Sequence, residues 1–222
     1  VTGRIAFFTC LGLMALIVAS PAQDALADAK KLLEEHKFQD ALEKFESVVK
    51  DEAKAYDARM GMARCHIGLG DVAAANFQAV KAEKLNPKSA EAAEMCGLTF
   101  RMIGEGKAAE KEDPTADYEY AIMSFRRATE LDPKIVTYPV QMAQIYWHLG
   151  KYADAAGCYL KAGEIEPANV QHIAFASQCY AQAGDVTKAI AVIDTAIKNR
   201  PTDPSLRVTR AQALVKQGKK SE

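Results

Sequence analysis

The chain has 222 residues, 49% of them hydrophobic and 26% charged, with a formal net charge of −1. This composition supports one sizeable globular domain or two small ones, and the near-zero charge excludes the strongly basic surface of a nucleic-acid-binding domain. Ala, Leu, Glu, Lys and Gln dominate while alternating β-branched runs are missing, so helix is favoured throughout.

The first segment in chain order stands apart. Arg4 precedes an apolar run from Ile5 to Ala19, about fifteen residues and short of the roughly 20 that a spanning helix needs. Ser20 and Ala22 have the small-residue spacing that a signal peptidase reads, so residues 1–22 are expected to be a secretory signal cut after Ala22. An uncleaved membrane anchor is the alternative. Cys10 makes a poor lipidation site, because Thr9 is an unfavourable neighbour and most of the apolar run follows the cysteine. The expected location is therefore exported, periplasmic or otherwise extracytoplasmic, with membrane contact only through this segment if it is retained.

Beyond it the chain repeats. The segments "VKAEKLNPKSA", "RRATELDPKIV" and "LKAGEIEPANV" each read as a helix brought to a stop by proline, which cannot donate to a continuing helix. Pro87, Pro133, Pro167 and Pro201 are spaced 46, 34 and 34. Gly70, Gly104, Gly150, Gly184 and Gly218 are spaced 34, 46, 34 and 34, as are Ala41, Ala75, Ala121, Ala155 and Ala189. A period of this length marks a stack of helical pairs. The long interval places twelve extra residues between Gly104 and Ala121. Repeats are expected over 22–55, 56–89, 90–135, 136–169 and 170–203, followed by a capping helix over 204–217. The repeat domain then spans 23–218 and leaves a polar tail at 219–222.

Within each repeat certain slots recur. A small residue in the first helix falls at Ala29, Ala63, Gly97, Ala143, Ser177 and Ala211, with a large one three residues later at Leu32, His66, Phe100, Tyr146, Tyr180 and Leu214. The second helix carries Phe45, Ala79, Phe125, Tyr159 and Ile193, then Val48, Ala82, Ala128, Ala162 and Ala196. With these slots the chain resembles the tetratricopeptide repeat family. It departs from the pattern where Ala25, Arg59, Ala93, Pro139, Ile173 and Arg207 occupy the early tryptophan slot, and where His36 and Ala53 replace the glycine and proline of the first repeat. The resemblance implies an all-α, right-handed superhelical solenoid of about five helix pairs. Small residues there let helix axes approach, and a left-handed glycine closes each first helix.

The resemblance also implies a scaffold that binds a protein or peptide along the concave surface of the first helices. Helix register places Met60, Arg64, Glu94, Leu98, Arg101, Gln141, Gln144, Trp147, His148, Phe175 and Gln178 on that surface, with Trp147 as the anchor. The same apolar residues equally suit packing between repeats. A family subgroup grips C-terminal carboxylates with Lys, Asn and Arg, but the corresponding positions hold Leu26, Lys30, Gly61, Glu91 and Met95, which lack that clamp.

In the insertion, 105–117, Gly104 and Gly106 are expected to end the first helix. Asp113 and Pro114 would start the second one early, giving a charged, projecting hairpin. Cys65, Cys96, Cys158 and Cys179 occupy packing positions and are expected to be free thiols. No zinc spacing, phosphate loop or nucleophile–base pair is present in the sequence, so no catalytic residue, metal or cofactor is assigned. The expected function is non-enzymatic binding in an envelope or secretion-related assembly, with a membrane-tethered assembly factor as the alternative and an unrecognised enzyme as a further one.

Overall fold

The computed structural model describes residues 21–216 and 218. The leader expected over 1–22 lies outside the described residues but for its last two positions, and Cys10 lies outside them too.

Among the described residues there are eleven α-helices and no strand. They form five antiparallel pairs: α1 (Pro21–Glu34) with α2 (Phe38–Val48), α3 (Ala55–Leu69) with α4 (Val72–Leu85), α5 (Ala90–Ala109) with α6 (Thr115–Leu131), α7 (Thr137–His148) with α8 (Tyr152–Ile165), and α9 (Val170–Gln182) with α10 (Val186–Asn199). A single helix, α11 (Pro204–Lys216), closes the stack against α9 and α10. Each helix packs on its neighbours in sequence, and the pairs stack edge to edge as a right-handed solenoid.

Small side chains make this stacking close. Ala41, Ala75, Ala121, Ala155 and Ala189 have no solvent exposure, so there helix meets helix without an intervening side chain. Phe45, Phe125 and Ile193 fill the gaps between pairs and are buried. In the first-helix small slot Ala29, Ala63, Gly97, Ala143 and Ser177 are buried, but Ala211 is exposed. Among the described residues no second helix follows α11 to cover that slot. Val208 and Val215 on the same helix are exposed as well, beside the exposed Arg207 and Gln212.

The chain reverses by repeated local chemistry. Gly70, Gly150 and Gly184 take φ of 81°, 69° and 84°, the left-handed region that closes a helix at little cost to glycine. Asp71, Ser89 and Asp185 cap the following helices by accepting from the N–H of Ala74, Ala92 and Lys188 at 3.0–3.1 Å. Where glycine is lacking, His36 itself turns left-handed with φ of 57°.

The insertion corrects one expectation. Gly104 and Gly106 do not end α5, which continues through both to Ala109, and Lys111 supplies the left-handed turn with φ of 61°. Tyr118 of α6 lies over Gly104, where a Cβ would come within 2.7 Å of the ring, so the close approach of the two arms requires glycine there. Asp113 accepts from the N–H of Thr115 at 2.9 Å, so α6 starts early as expected. The result is a hairpin lengthened on both arms and tied by Lys107 to Asp117 at 2.6 Å.

Candidate functional site: the trough of first helices

The first helices α1, α3, α5, α7, α9 and α11 lie side by side and expose one face each. Toward the N-terminal end that face carries charges that neutralise one another. Lys30 pairs with Asp57 at 2.8 Å, Arg64 with Glu91, and Arg101 with Glu105 at 3.1 Å. Arg64 and Glu91 therefore bridge successive repeats instead of standing free for a ligand. Glu94 accepts a hydrogen bond from the Tyr138 hydroxyl at 3.4 Å. Partial burial pushes its carboxyl above the usual range, against the lowering effect of that hydrogen bond, while burial pushes the Tyr138 phenol up to about 12. Arg101 Nε and Gln141 Oε1 are buried atoms without a hydrogen-bond partner.

Several residues expected on this face belong elsewhere. Met60 is a core residue, 2% exposed and clustered with Ala63, Ala79, Ala92 and Met95. Leu98 is half-buried against the core formed by α5, α6 and α7. Helical register alone misplaces Met60 because successive first helices approach closely enough to cover the edge of each exposed stripe.

Toward the C-terminal end the face changes character. Gln144, Trp147, His148, Phe175 and Gln178 come together around a hollow of about 230 Å³ between α7 and α9, floored by Tyr159 and Cys179. Phe175 is 41% exposed and tilts against Tyr159 with ring centroids 5.2 Å apart. Trp147 is half-buried and held edge-on by Tyr152 at 4.9 Å. His148 stacks over Tyr118 at 6.3 Å. On the other side of Trp147 a second hollow of about 210 Å³ opens between α9 and α11, lined by Ser177, Gln178, Thr209, Gln212 and Ala213. The sequence reading missed Thr209 and Gln212, although Gln212 follows Gln178 by the same 34 residues that separate Gln178 from Gln144.

Two larger hollows lie on the second-helix side. One, about 430 Å³, is lined by Leu160, Ile173, Ala191 and Val192, and the other, about 400 Å³, by Arg126, Pro139, Gly157 and Cys158. They are repeat-equivalent, since 139, 157 and 158 map to 173, 191 and 192 by the 34-residue period. Both follow from small residues at the ridges of α8 and α10, and the second is also rimmed by the charged side chains of Arg126, Glu130, Asp154 and Lys161.

Cys65, Cys96, Cys158 and Cys179 are free thiols. Burial pushes Cys96 up to about 12, with Glu83 adding to it, and Cys65, Cys158 and Cys179 up to about 11. Thiols held protonated in this way are poor nucleophiles and poor metal ligands. Among the described residues no group of three or more His, Cys, Asp or Glu could hold a metal ion, and no helix is long and apolar enough to cross a membrane.

Two tetratricopeptide repeat family models match the chain, one over residues 32–98 and one over residues 140–204, together more than half of its length. The chain belongs to the tetratricopeptide repeat family. A curated relative, tetratricopeptide repeat protein 14 of Mus musculus, is 34% identical over 79 residues, which are 36% of this chain and 10% of that protein. This tetratricopeptide repeat chain thus matches about a tenth of the length of that relative. Among solved structures, MamA is similar with a TM-score of 0.66 at 17% identity, covering 88% of this chain and 94% of that one. YrrB, described as a TPR protein with an unusual peptide-binding site, gives 0.63 at 18% identity over 86% and 92%. The Naa15/Naa10 complex bound to HypK-THB gives 0.67 at 17% identity, over 90% of this chain and 29% of that one. At these identities the structures show the shared fold.

Proposed function

We propose that this tetratricopeptide repeat protein is a non-enzymatic scaffold that holds a segment of a partner polypeptide in the trough of its first helices. The observation that carries the reading is the C-terminal half of the trough, where a half-buried tryptophan stands between two hollows rimmed by exposed glutamines. An amphipathic ring with apolar ground on both sides and amides within reach is the usual make-up of an anchor for a peptide segment. The peptide-binding site named for YrrB and the bound protein named for Naa15/Naa10 belong to chains of the same fold and are in keeping with this reading. The protonated thiols and self-paired charges fit a binding role better than a chemical one.

Export is proposed on the leader-like residues 1–22, and with it a place in an envelope or secretion-related assembly. A mature mass starting at Gln23 supports export, whereas an intact N-terminus in the membrane fraction would make the protein a tethered assembly factor. The trough is tested by affinity capture from the native envelope with the wild type and a Gln144→Lys/Gln178→Lys variant. Both side chains are exposed, so the fold should tolerate the change. Recovery of a polypeptide by the wild type and its loss from the variant is expected. Equal recovery by both would place the partner elsewhere.

A further inference from the structure

The larger of the two hollows on the second-helix side, about 430 Å³, is lined from α8, α9 and α10 and differs in chemistry from its repeat-equivalent. Shifted by the 34-residue period, Arg126, Thr129 and Lys161 of the other hollow become Leu160, Gly163 and Thr195. Glu130 and Asp154 of the other hollow become Glu164 and Lys188, which lie outside this lining and pair with Lys161 and Asp185. Among the described residues Arg200 is the one charged side chain in the lining. α10 lines the hollow from Ala191 to its C-terminal end, so Arg200 stands at one end of it. The repeat does not call for a cation there. The residue before the helix-stopping proline is Asn86, Asp132 and Glu166 in the preceding repeats, and then Arg200. Its guanidinium donates to the carbonyls of Ala168 and Pro167 at 2.9 and 3.0 Å, and among the described residues no carboxylate pairs with it. Asp203, close enough to feel the charge, is held by the N–H and hydroxyl of Ser205 at 2.9 and 2.7 Å. Two carbonyls fix the guanidinium but leave its charge uncompensated and three of its five N–H groups without a protein partner.

We infer that this hollow is a binding site for an anionic amphiphile, a linear alkyl chain whose single carboxylate head meets Arg200. It is a second site, independent of the trough. Charge selects the head, because hydrogen bonds from a guanidinium to a carboxylate are among the strong ones and the fork of N–H groups fits both oxygens. The scarcity of polar groups selects the tail. A polypeptide brings an N–H and a C=O with nearly every residue, and each needs a partner when it is buried. Besides Arg200 the lining offers only Thr195 and Asn199, and the Thr195 hydroxyl already donates to the Ala191 carbonyl at 2.9 Å. An alkyl chain has no such groups, and removal from water against Leu160, Val170, Ile173 and Val192 is enough to hold it. The volume lies within the range of about 300–1,000 Å³ usual for small-molecule sites. In the other hollow Glu130 and Asp154 offset Arg126 and Lys161, so it has no net charge with which to select an anion.

The test titrates the purified protein with decanoate, kept below its micellar concentration, by isothermal calorimetry. Decanol and decyltrimethylammonium carry the same chain without the anionic head, and a capped, uncharged, leucine-containing peptide stands for a polypeptide ligand. Decanoate should bind at a single site, at least about tenfold more tightly than any of the three. Arg200→Gln should weaken decanoate about tenfold or more and leave decanol unchanged. Because Arg200 also clips the turn between α8 and α9, Arg200→Lys serves as the second variant: it keeps the charge and should bind decanoate more tightly than Arg200→Gln. Ala191→Leu, on an exposed wall of the hollow, should fill it and weaken decanoate and decanol alike. Equal binding of decanoate and decanol, or indifference to Arg200→Gln, overturns the inference and leaves Arg200 as a clip on the turn. Decanoate binding that survives Ala191→Leu overturns the hollow as its site. Tighter binding of the peptide gives the groove to a polypeptide, and a dimer that Ala191→Leu dissociates in sedimentation gives it to a second copy of the chain. Either result overturns the inference, as does the absence of decanoate binding.

Discussion

Gly61 lies in the middle of α3, directly under the ring of Phe45 from the preceding repeat. A Cβ at that position would fall 2.2, 2.4 and 2.5 Å from Phe45 Cζ, Cε1 and Cε2. Phe45 has no exposed surface and shares its cluster with Ala41, Ala58, Met62 and Cys65, so making room means pulling the ring out of this packing toward the hollow it lines with Lys30, Asp57 and Arg64. Overpacking of this kind costs about 1–3 kcal/mol, and the depth of the overlap argues for the upper part of that range. Against it, alanine is favoured over glycine within a helix by about 0.8–1.0 kcal/mol. The net loss expected for Gly61→Ala is about 1–2 kcal/mol, a fall of about 2–8 °C in thermal midpoint for a chain of this size. Gly157 provides the control. It lies inside α8 with nothing within 4 Å of where its Cβ would be, so Gly157→Ala should show only the propensity gain and melt higher. Thermal melts and urea titrations by far-ultraviolet circular dichroism read both. In a Phe45→Leu background Gly61→Ala should lose most of its penalty, a coupling that a double-mutant cycle measures. A Gly61→Ala variant that melts as high as Gly157→Ala, or a penalty unchanged by Phe45→Leu, would refute the packing described for these two repeats.

Lys111 is held left-handed at the tip of the long hairpin, a conformation that costs a residue with a Cβ about 1–2 kcal/mol. Lys111→Gly should therefore stabilise by about 1 kcal/mol in urea titration, and Glu110→Gly, whose φ is −84°, should not. Burial raises the carboxyl of Glu94 in the folded state, so the fold binds its proton more tightly than the unfolded chain and stability falls as pH rises from the unfolded value through the folded one. Glu94→Gln, which still accepts from Tyr138, should be more stable than wild type at pH 7 and lose that advantage below about pH 4, where both states carry the proton. Deleting residues 105–116 would join Gly104 to Asp117 and Tyr118, restoring the turn seen at Gly70-Asp71-Val72 and Gly184-Asp185-Val186. The pairs lost, Arg101 with Glu105 and Lys107 with Asp117, are largely surface bridges worth about 0–1 kcal/mol each, so a folded chain within about 1–2 kcal/mol of wild type is expected by denaturant titration, and failure to fold would contradict the repeat register.

The frame of the fold was legible because it is set by residues whose physics does not depend on distant partners. Alanine at 41, 75, 121, 155 and 189 says how closely helices approach, and glycine at 70, 150 and 184 says where the chain turns left-handed. Gly104 misled for the same reason. Its local preference to stop a helix is about 1 kcal/mol, yet the close approach of the two arms, with Tyr118 over it, requires glycine inside the helix there. His36 shows the converse, a left-handed turn kept by its place in the repeat although the residue resists it. The trough was only partly legible. Trp147, Gln144, Phe175 and Gln178 stand where register puts them, yet Met60 sinks into the core because exposure depends on the curvature of the stack, which no single helix encodes. The pairing of Arg64 with Glu91 was hidden likewise, since it joins residues 27 apart across two repeats.

Site-specific photo-crosslinking asks most directly whether the trough holds a polypeptide. A photoreactive amino acid is placed at Gln178, between the two hollows, or at Met123, which is 62% exposed on the second-helix side of α6. Irradiation in cells that make the protein should yield a discrete protein adduct from position 178 and none from position 123. Adducts from position 123 alone, or the same adduct from both positions, would contradict a ligand held by the first helices.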